Sequence, residues 1–204
     1  MQLLLLVGAV TLVPALLFTV TAFTRILVVL GFIRTGLGTP TAPPNQVLVG
    51  IALFLTLFVM APTFSAVKKE AIDPLQAKTI TEGQAFERGQ KPIREFMFRQ
   101  TREKDLALFV KLAKMDQPKT RADVPTHVLI PAFIISELKT AFQIGFLIFL
   151  PFLVIDLVVA AVLMSMGMMM VPPAVVSLPF KLGFFVVADG WTLIAEALVR
   201  GYAA

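Results

Sequence analysis

The sequence predicts an all-α protein of the membrane type, with apolar helical hairpins on either side of an amphipathic helical segment. Three observations carry this reading. The 204 residues are 57% hydrophobic and 15% charged, whereas soluble domains average roughly 45–50% apolar and about 25% charged. Four apolar stretches, Leu3 to Ile33, Val47 to Val67, Val128 to Leu163 and Val171 to Val199, each approach or exceed the ~20 residues that span a bilayer as helix. Between the two pairs lies one polar segment holding 22 of the 31 charges, 13 basic and 9 acidic, from Lys68 to Asp123. The chain therefore divides into an apolar hairpin over 1–67, a polar and amphipathic segment over 68–127, and a second apolar hairpin over 128–204.

The first stretch lacks a basic leader region and an Ala-X-Ala cleavage site, so it reads as part of the working protein and not as a signal peptide. Glycines and prolines from Arg34 to Asn45 break helix and give a short helix-to-helix loop. Arg25 and Arg34 lie near this loop while the loop after Leu163 is uncharged, which places the first loop in the cytoplasm by the positive-inside rule. Four crossings then put the middle segment and both termini outside. An outside amino terminus implies a removed leader upstream, so the chain is expected to begin near a processed end.

In the middle segment Thr81 and Gln84 have the spacing of a capping box and predict a short helix. A longer amphipathic helix is expected from Pro92 to Met115, with Pro92 in its first turn. There Ile93, Phe96, Met97, Leu106, Phe109, Val110 and Ala113 form the apolar stripe, and Arg94, Arg99, Arg102 and Lys111 point outward. That stripe packs on its own subunit or forms a contact between subunits, and Phe96 and Phe109 are the residues that test the choice. Pro131 and Pro151 predict that the third apolar stretch is two short helices or one bent helix.

Nine ionisable residues lie outside the middle segment, and Glu137, Lys139, Asp156, Lys181 and Asp189 sit among apolar neighbours. A lone charge at a bilayer centre costs on the order of 3 kcal/mol, so such groups pair or face water. Glu137 and Lys181 are expected to meet within one subunit or across to a neighbour. Asp156 and Asp189 alternatively form an ion or proton relay, as in a small-ion channel or proton-coupled transporter.

Met164, Met166, Met168, Met169 and Met170 place five of the nine methionines in seven residues, followed by Val171-Pro172-Pro173. Thioether side chains are unbranched and adaptable, so a ring of them could close a pore and still deform around varied passing chains. The competing readings are a gap-filling turn and a copper(I) site, the latter with no histidine or cysteine beside it.

An enzyme is not indicated. Cysteine is absent, the one histidine, His127, stands beside Pro125 at a loop-to-helix boundary, and there is no phosphate-cradling glycine loop. The mixed signs in the middle segment argue against nucleic acid despite a net charge of +5. No cofactor or metal is expected.

Several blocks carry a resemblance over nearly the whole chain: Thr24-Arg-Ile26, Ala42-Pro-Pro-Asn-Gln-Val-Leu48, Arg94-Glu-Phe-Met-Phe-Arg-Gln-Thr-Arg102, Ser136-Glu-Leu-Lys-Thr-Ala-Phe-Gln-Ile-Gly145, Gly167-Met-Met-Met-Val-Pro-Pro173, Leu178-Pro-Phe-Lys-Leu182 and Asp189-Gly-Trp191. The chain thereby resembles the FliP family of flagellar type III export gate subunits and its injectisome homologue. Valine before the proline pair favours the flagellar branch. The resemblance implies a ring of five such subunits assembling with FliQ and FliR, and with FlhB as a further partner, into a helical gate in the basal body. That gate passes unfolded flagellar proteins across the bacterial inner membrane. It further implies that the five methionines form a gasket across the channel, that Glu137 and Lys181 make contacts between subunits, and that Phe96 and Phe109 belong to an assembly helix. It also implies that the gate sits largely above the bilayer plane, with apolar stretches facing protein as well as lipid. A scaffold without a pore is the third reading.

Overall fold

The computed structural model describes residues 18–115, 118, 120–168 and 170–203, and among them every regular element is helical. Residues 3–17 of the first apolar stretch lie outside the described residues. The helices are α1 (Phe23–Gly36), α2 (Asn45–Val67), α3 (Glu82–Gln100), α4 (Glu103–Leu112), α5 (Thr126–Ser165), α6 (Pro173–Val187) and α7 (Gly190–Ala203). Helix α2 continues through a π-helical turn at Lys68–Ile72 and a last α-turn at Asp73–Gln76, making a 32-residue run.

Of the two forms expected for the third apolar stretch, the structure has the single helix. Helix α5 runs unbroken for 40 residues through Pro131 and Pro151, about twice the ~20 residues a span needs. Each proline removes one intrahelical donor, a loss that apolar helices tolerate when neighbouring groups satisfy the freed carbonyl. The fourth stretch, by contrast, is the one that breaks. Helices α6 and α7 are bent by 62° about Ala188 and Asp189. Asp189 takes a left-handed conformation at φ +49, its carboxylate accepts a hydrogen bond from the Thr192 hydroxyl at 3.0 Å, and the next residue is Gly190. A Cβ on Gly190 would lie 2.2 Å from the Phe185 ring. The described residues thus contain two helices long and apolar enough to cross a membrane, or three if the bent pair forms one span.

The middle segment keeps its expected start and loses its expected length. Thr81 accepts from the Gln84 amide and Gln84 from the Thr81 amide, so the capping box is made. The helix that it opens runs through Pro92 to Gln100, and Pro92 is interior, not first-turn. At Thr101 and Arg102 the backbone is extended, and α4 begins afresh at Glu103. The Arg102 amide donates to the Ser136 hydroxyl at 3.0 Å, so a contact distant in sequence replaces the helical bond at the break.

The chain divides into two compact units interleaved in sequence, one of residues 1–24 and 56–139 and the other of 25–55 and 140–204. In the first, α3 lies on the π-helical turn, where a Cβ on Gly89 would be 3.2 Å from Ala71. Phe96 packs edge-on to Phe133 at 5.9 Å, and Met97, Leu129 and Ala132 are buried with them. In the second, α1 runs alongside α5 in the same direction: Phe32 meets Phe142 and Gly145, and Gly36 meets Phe149 and Phe152. Helix α6 returns antiparallel along α5, with Phe152 against Phe184 and Phe185 near one end and Asp156 against Ser177 closer to the turn.

At Gly145, α1 and α5 are in close contact. An added Cβ would stand 2.4 Å from the Phe32 ring and 3.0 Å from its Cβ, so the neighbour cannot simply rotate away. Overpacking of this kind costs about 1–3 kcal/mol. Gly145→Ala should therefore lower the thermal unfolding midpoint of the detergent-purified protein, and Phe32→Ala should recover part of the loss. Gly183→Ala, at a site with nothing within 4 Å, should leave the midpoint unchanged or raise it.

Candidate functional site

The methionines follow directly from the end of α5. The Met168 amide donates to the Leu163 carbonyl at 2.9 Å and the Gly167 amide to the Met164 carbonyl at 3.0 Å. Gly167 has φ +73. Together these make a Schellman termination, in which a left-handed glycine lets the chain fold back over the last helical carbonyls. The Val171 amide then reaches the Met168 carbonyl at 3.3 Å, and α6 starts with Pro172 at its cap and Pro173 in its first turn, where a missing donor costs nothing. Met164, Met166, Met168 and Met170 are exposed, Met170 at 98%. Met169 lies outside the described residues. This is a capped turn that projects thioethers, and a core gap filled by methionine is the opposite arrangement: Met60 and Met97 are buried.

The two helices leading to that turn are joined by a polar link. Lys181 on α6 pairs with Asp156 on α5 at 2.6 Å, and the Ser177 hydroxyl donates to the same carboxylate at 2.5 Å. Ser177 is fully buried and Lys181 is 5% exposed. Within the chain Lys181 thus takes Asp156 as its partner, where charge and burial had suggested Glu137 in the same subunit or in a neighbour. Asp156 stands on the facing helix of the same hairpin with its carboxylate at the level of Lys181, and it takes the charge. Removal of one member of a fully buried pair strands the other at a cost of about 3–5 kcal/mol, and this pair, with Asp156 30% exposed, feels only part of that. Asp156 and Asp189 do not line up as a relay: the first is held by Lys181 and Ser177, the second is a turn residue bonded to Thr192.

Glu137 belongs to the first unit, where it is fully buried next to Ser136. The cluster there has Asp105 on α4 as its centre, a residue that sequence reading passed over as one more charge in a solvated segment. Asp105 is 2% exposed, accepts from Ser136 at 2.8 Å and pairs with Lys139. Burial acts to raise its carboxyl, but the hydrogen bonds from Lys139 and Ser136, with the charges of Lys139 and Arg102, outweigh that and hold it below the ordinary aspartate range. The only sequence signal was position: Asp105 falls on the apolar side of α4, one residue before Leu106 in the expected stripe.

Other site residues fall as follows. Phe96 is buried against Phe133 of its own chain, Phe109 keeps partial exposure, and Phe98, absent from the expected stripe, is buried. Arg94 is not simply outward: it donates to the Val124 carbonyl at 2.6 Å and to the Thr126 hydroxyl, and lies over the Phe98 ring. Arg25 is buried, stacked 4.0 Å over the Tyr202 ring and bonded to the Gly201 carbonyl. Arg34 bridges the loop to the Pro43 carbonyl and Asn45.

Comparison with known proteins extends the resemblance to measured similarity. The profile of the FliP family matches residues 6–198. The flagellar biosynthetic protein FliP of Bacillus subtilis is 56% identical over 201 residues, covering 98% of this chain and 91% of the relative. That of Pectobacterium carotovorum is 57% identical, covering 98% and 78%, and that of Caulobacter vibrioides is 54% identical, covering 98% and 76%.

Two measurements check the polar links. Asp156→Ala and Lys181→Ala should each lower the amount of folded protein recovered from membranes, and Asp156→Lys combined with Lys181→Asp should restore part of it. Full recovery of either single variant would remove the link from the list of things holding the hairpin. For Asp105, a carboxyl lowered by folding stabilises the protein above the unfolded value of about 3.9, and that contribution is lost as pH falls through the folded value. Wild-type stability should therefore drop below about pH 4, with a smaller drop in Asp105→Asn, which is already destabilised at neutral pH.

Proposed function

The chain belongs to the FliP family, and from that membership we propose that it is a pore-forming subunit of the flagellar type III export gate, a conduit for unfolded flagellar proteins and not an enzyme. It works in the bacterial inner membrane at the flagellar basal body, with the segment over 68–127 on the periplasmic side. Five copies form the ring, with FliQ and FliR completing the gate and FlhB beside it. The observation that carries this reading is the methionine turn. A hairpin apolar over most of its length, held together by Asp156, Ser177 and Lys181, ends in a turn whose described methionines all project outward. An apolar, adaptable surface displayed at a hairpin tip has no value to an isolated chain. In a ring it meets its own copies and closes the opening between them.

The broad apolar exposure supports assembly as well. Phe54, Phe58, Phe146, Leu157 and Val187 are more than half exposed, far beyond what scattered surface hydrophobics account for. Phe109 would meet the neighbouring subunit directly in this reading, and Phe96 would act by holding α3 against α5. Glu137 and Lys181 would support contacts between subunits by fixing the packing on which the neighbouring surface is built. The small-ion reading loses its main support, because the two aspartates it needs are held by local partners.

Alanine at Met164, Met166, Met168 and Met170 should raise leakage of small molecules across the inner membrane of a motile host, while the complex still assembles and secretes. Unchanged leakage in an assembled complex would move the seal to another segment.

A further inference from the structure

The methionines of the turn differ from Met60 and Met97 in what can reach them. Met164, Met166, Met168 and Met170 are between 43% and 98% exposed, whereas Met60 and Met97 are at most 1% exposed. The chain contains no cysteine, so no thiol competes for a mild oxidant, and exposed thioethers are the groups that such an oxidant reaches first. The backbone of the turn keeps them there. It is held on one side by the Gly167 and Met168 amides bonded to the end of α5 and on the other by Pro172 and Pro173.

Oxidation would change what the tip can do. A sulfoxide adds a strong acceptor to each side chain and makes it polar. Between Leu163 and Pro173 the one side chain with a donor is Ser165, and its hydroxyl already donates to the Val162 carbonyl at 2.7 Å. New acceptors at the tip must therefore be satisfied by water, because a polar group shut away from water without a partner is costly. We propose that the methionine turn is an oxidation site, and that its conversion to sulfoxide by hydrogen peroxide turns the seal into a wet, leaking opening; the second half rests on the reading of the turn as the seal. The sulfur lone pair attacks one peroxide oxygen and the O–O bond breaks. The departing hydroxide takes the proton from the transferred hydroxyl and leaves as water, so each thioether loses two electrons and each peroxide gains them. An opening closed by such a turn has water at both mouths, and a molecule little larger than water reaches its sulfurs in the assembled gate. The change is also reversible in kind, since sulfoxides are reduced back to thioethers by one enzyme for each epimer.

The test treats membrane vesicles from a host overproducing the assembled gate with hydrogen peroxide. Sulfoxide at each methionine is read by peptide mass spectrometry, alongside leakage of a small fluorescent solute. Sulfoxide should form at Met164, Met166, Met168 and Met170 at least about tenfold faster than at Met60 and Met97, since every ~1.4 kcal/mol needed to open a buried site slows its reaction by that factor. These rates are read on the wild-type protein and need no variant to fold. Leakage should rise with the sulfoxide content of the turn. Leucine at all five methionines of the run, Met164, Met166, Met168, Met169 and Met170, should keep the vesicles tight and insensitive to peroxide, which separates the turn from damage to lipid. Oxidation no faster than at Met60 and Met97, or a peroxide-induced leak that persists with leucine, would overturn the proposal. If alanine at Met164, Met166, Met168 and Met170 leaks while peroxide leaves the wild type tight, the oxidation switch falls and the seal stands. If neither leaks, the seal reading falls with it.

Discussion

A charge carried on an apolar helix has to find its opposite on the helix packed against it, and this requirement organises the protein. Water is not at hand to solvate such a group, so the helices must approach in a register that brings charge to charge. In the second unit the Asp156–Lys181 pair, completed by Ser177, sets the register of α6 against α5. In the first unit the Asp105, Ser136 and Lys139 cluster does the same for α4 against the start of α5. Close apolar contacts such as Phe32 on Gly145 fix part of the helix register, and the ion pair adds a directional constraint that holds the hairpin's tip at one height.

The features legible in the sequence were those that depend on neighbours along the chain. The capping box at Thr81 and Gln84 needs only four consecutive residues. The apolar stretches need only composition, and the methionine turn announces itself by density. Features that depend on distant partners were not legible. Pro131 and Pro151 suggested either a break or a bend because a lost intrahelical bond is a local cost, and the sequence did not decide that α5 stays one helix. The true break, at Ala188 and Asp189, is signalled only by Asp-Gly, which the eye passes over inside an apolar run. Asp105 shows the same limit from the other side: among the described charges of the middle segment, the one that is buried differs from the rest by a contact 31 residues away.

The pairing of Lys181 is instructive in the same way. Charge and burial correctly said that Lys181 needs an acid. They pointed to Glu137, although Asp156 is equally an acidic residue in apolar surroundings. The choice is made by the hairpin itself. Once α5 turns back at the methionines, Lys181 comes to the level of Asp156, 25 residues earlier in the chain, and the Ser177 hydroxyl one helical turn away adds a donor to the same carboxylate.

The turn combines a fixed backbone with soft side chains, and the combination suits a seal better than either property alone. Three hydrogen bonds, a left-handed glycine and two prolines fix the described backbone of the turn. The polar link between α5 and α6 fixes the helices that carry it. From that frame project unbranched thioethers with three rotatable bonds each, which change shape at small cost. A turn of leucine or valine would close an opening as well but resist a passing chain, since branched side chains have fewer accessible rotamers. A turn of glycine and serine would yield to the passing chain and also to water. Methionine separates the two demands: its surface excludes water because it is apolar, and it yields because it is flexible. The rigid frame ensures that what yields is the side chain, so that closure is restored when the traffic has passed.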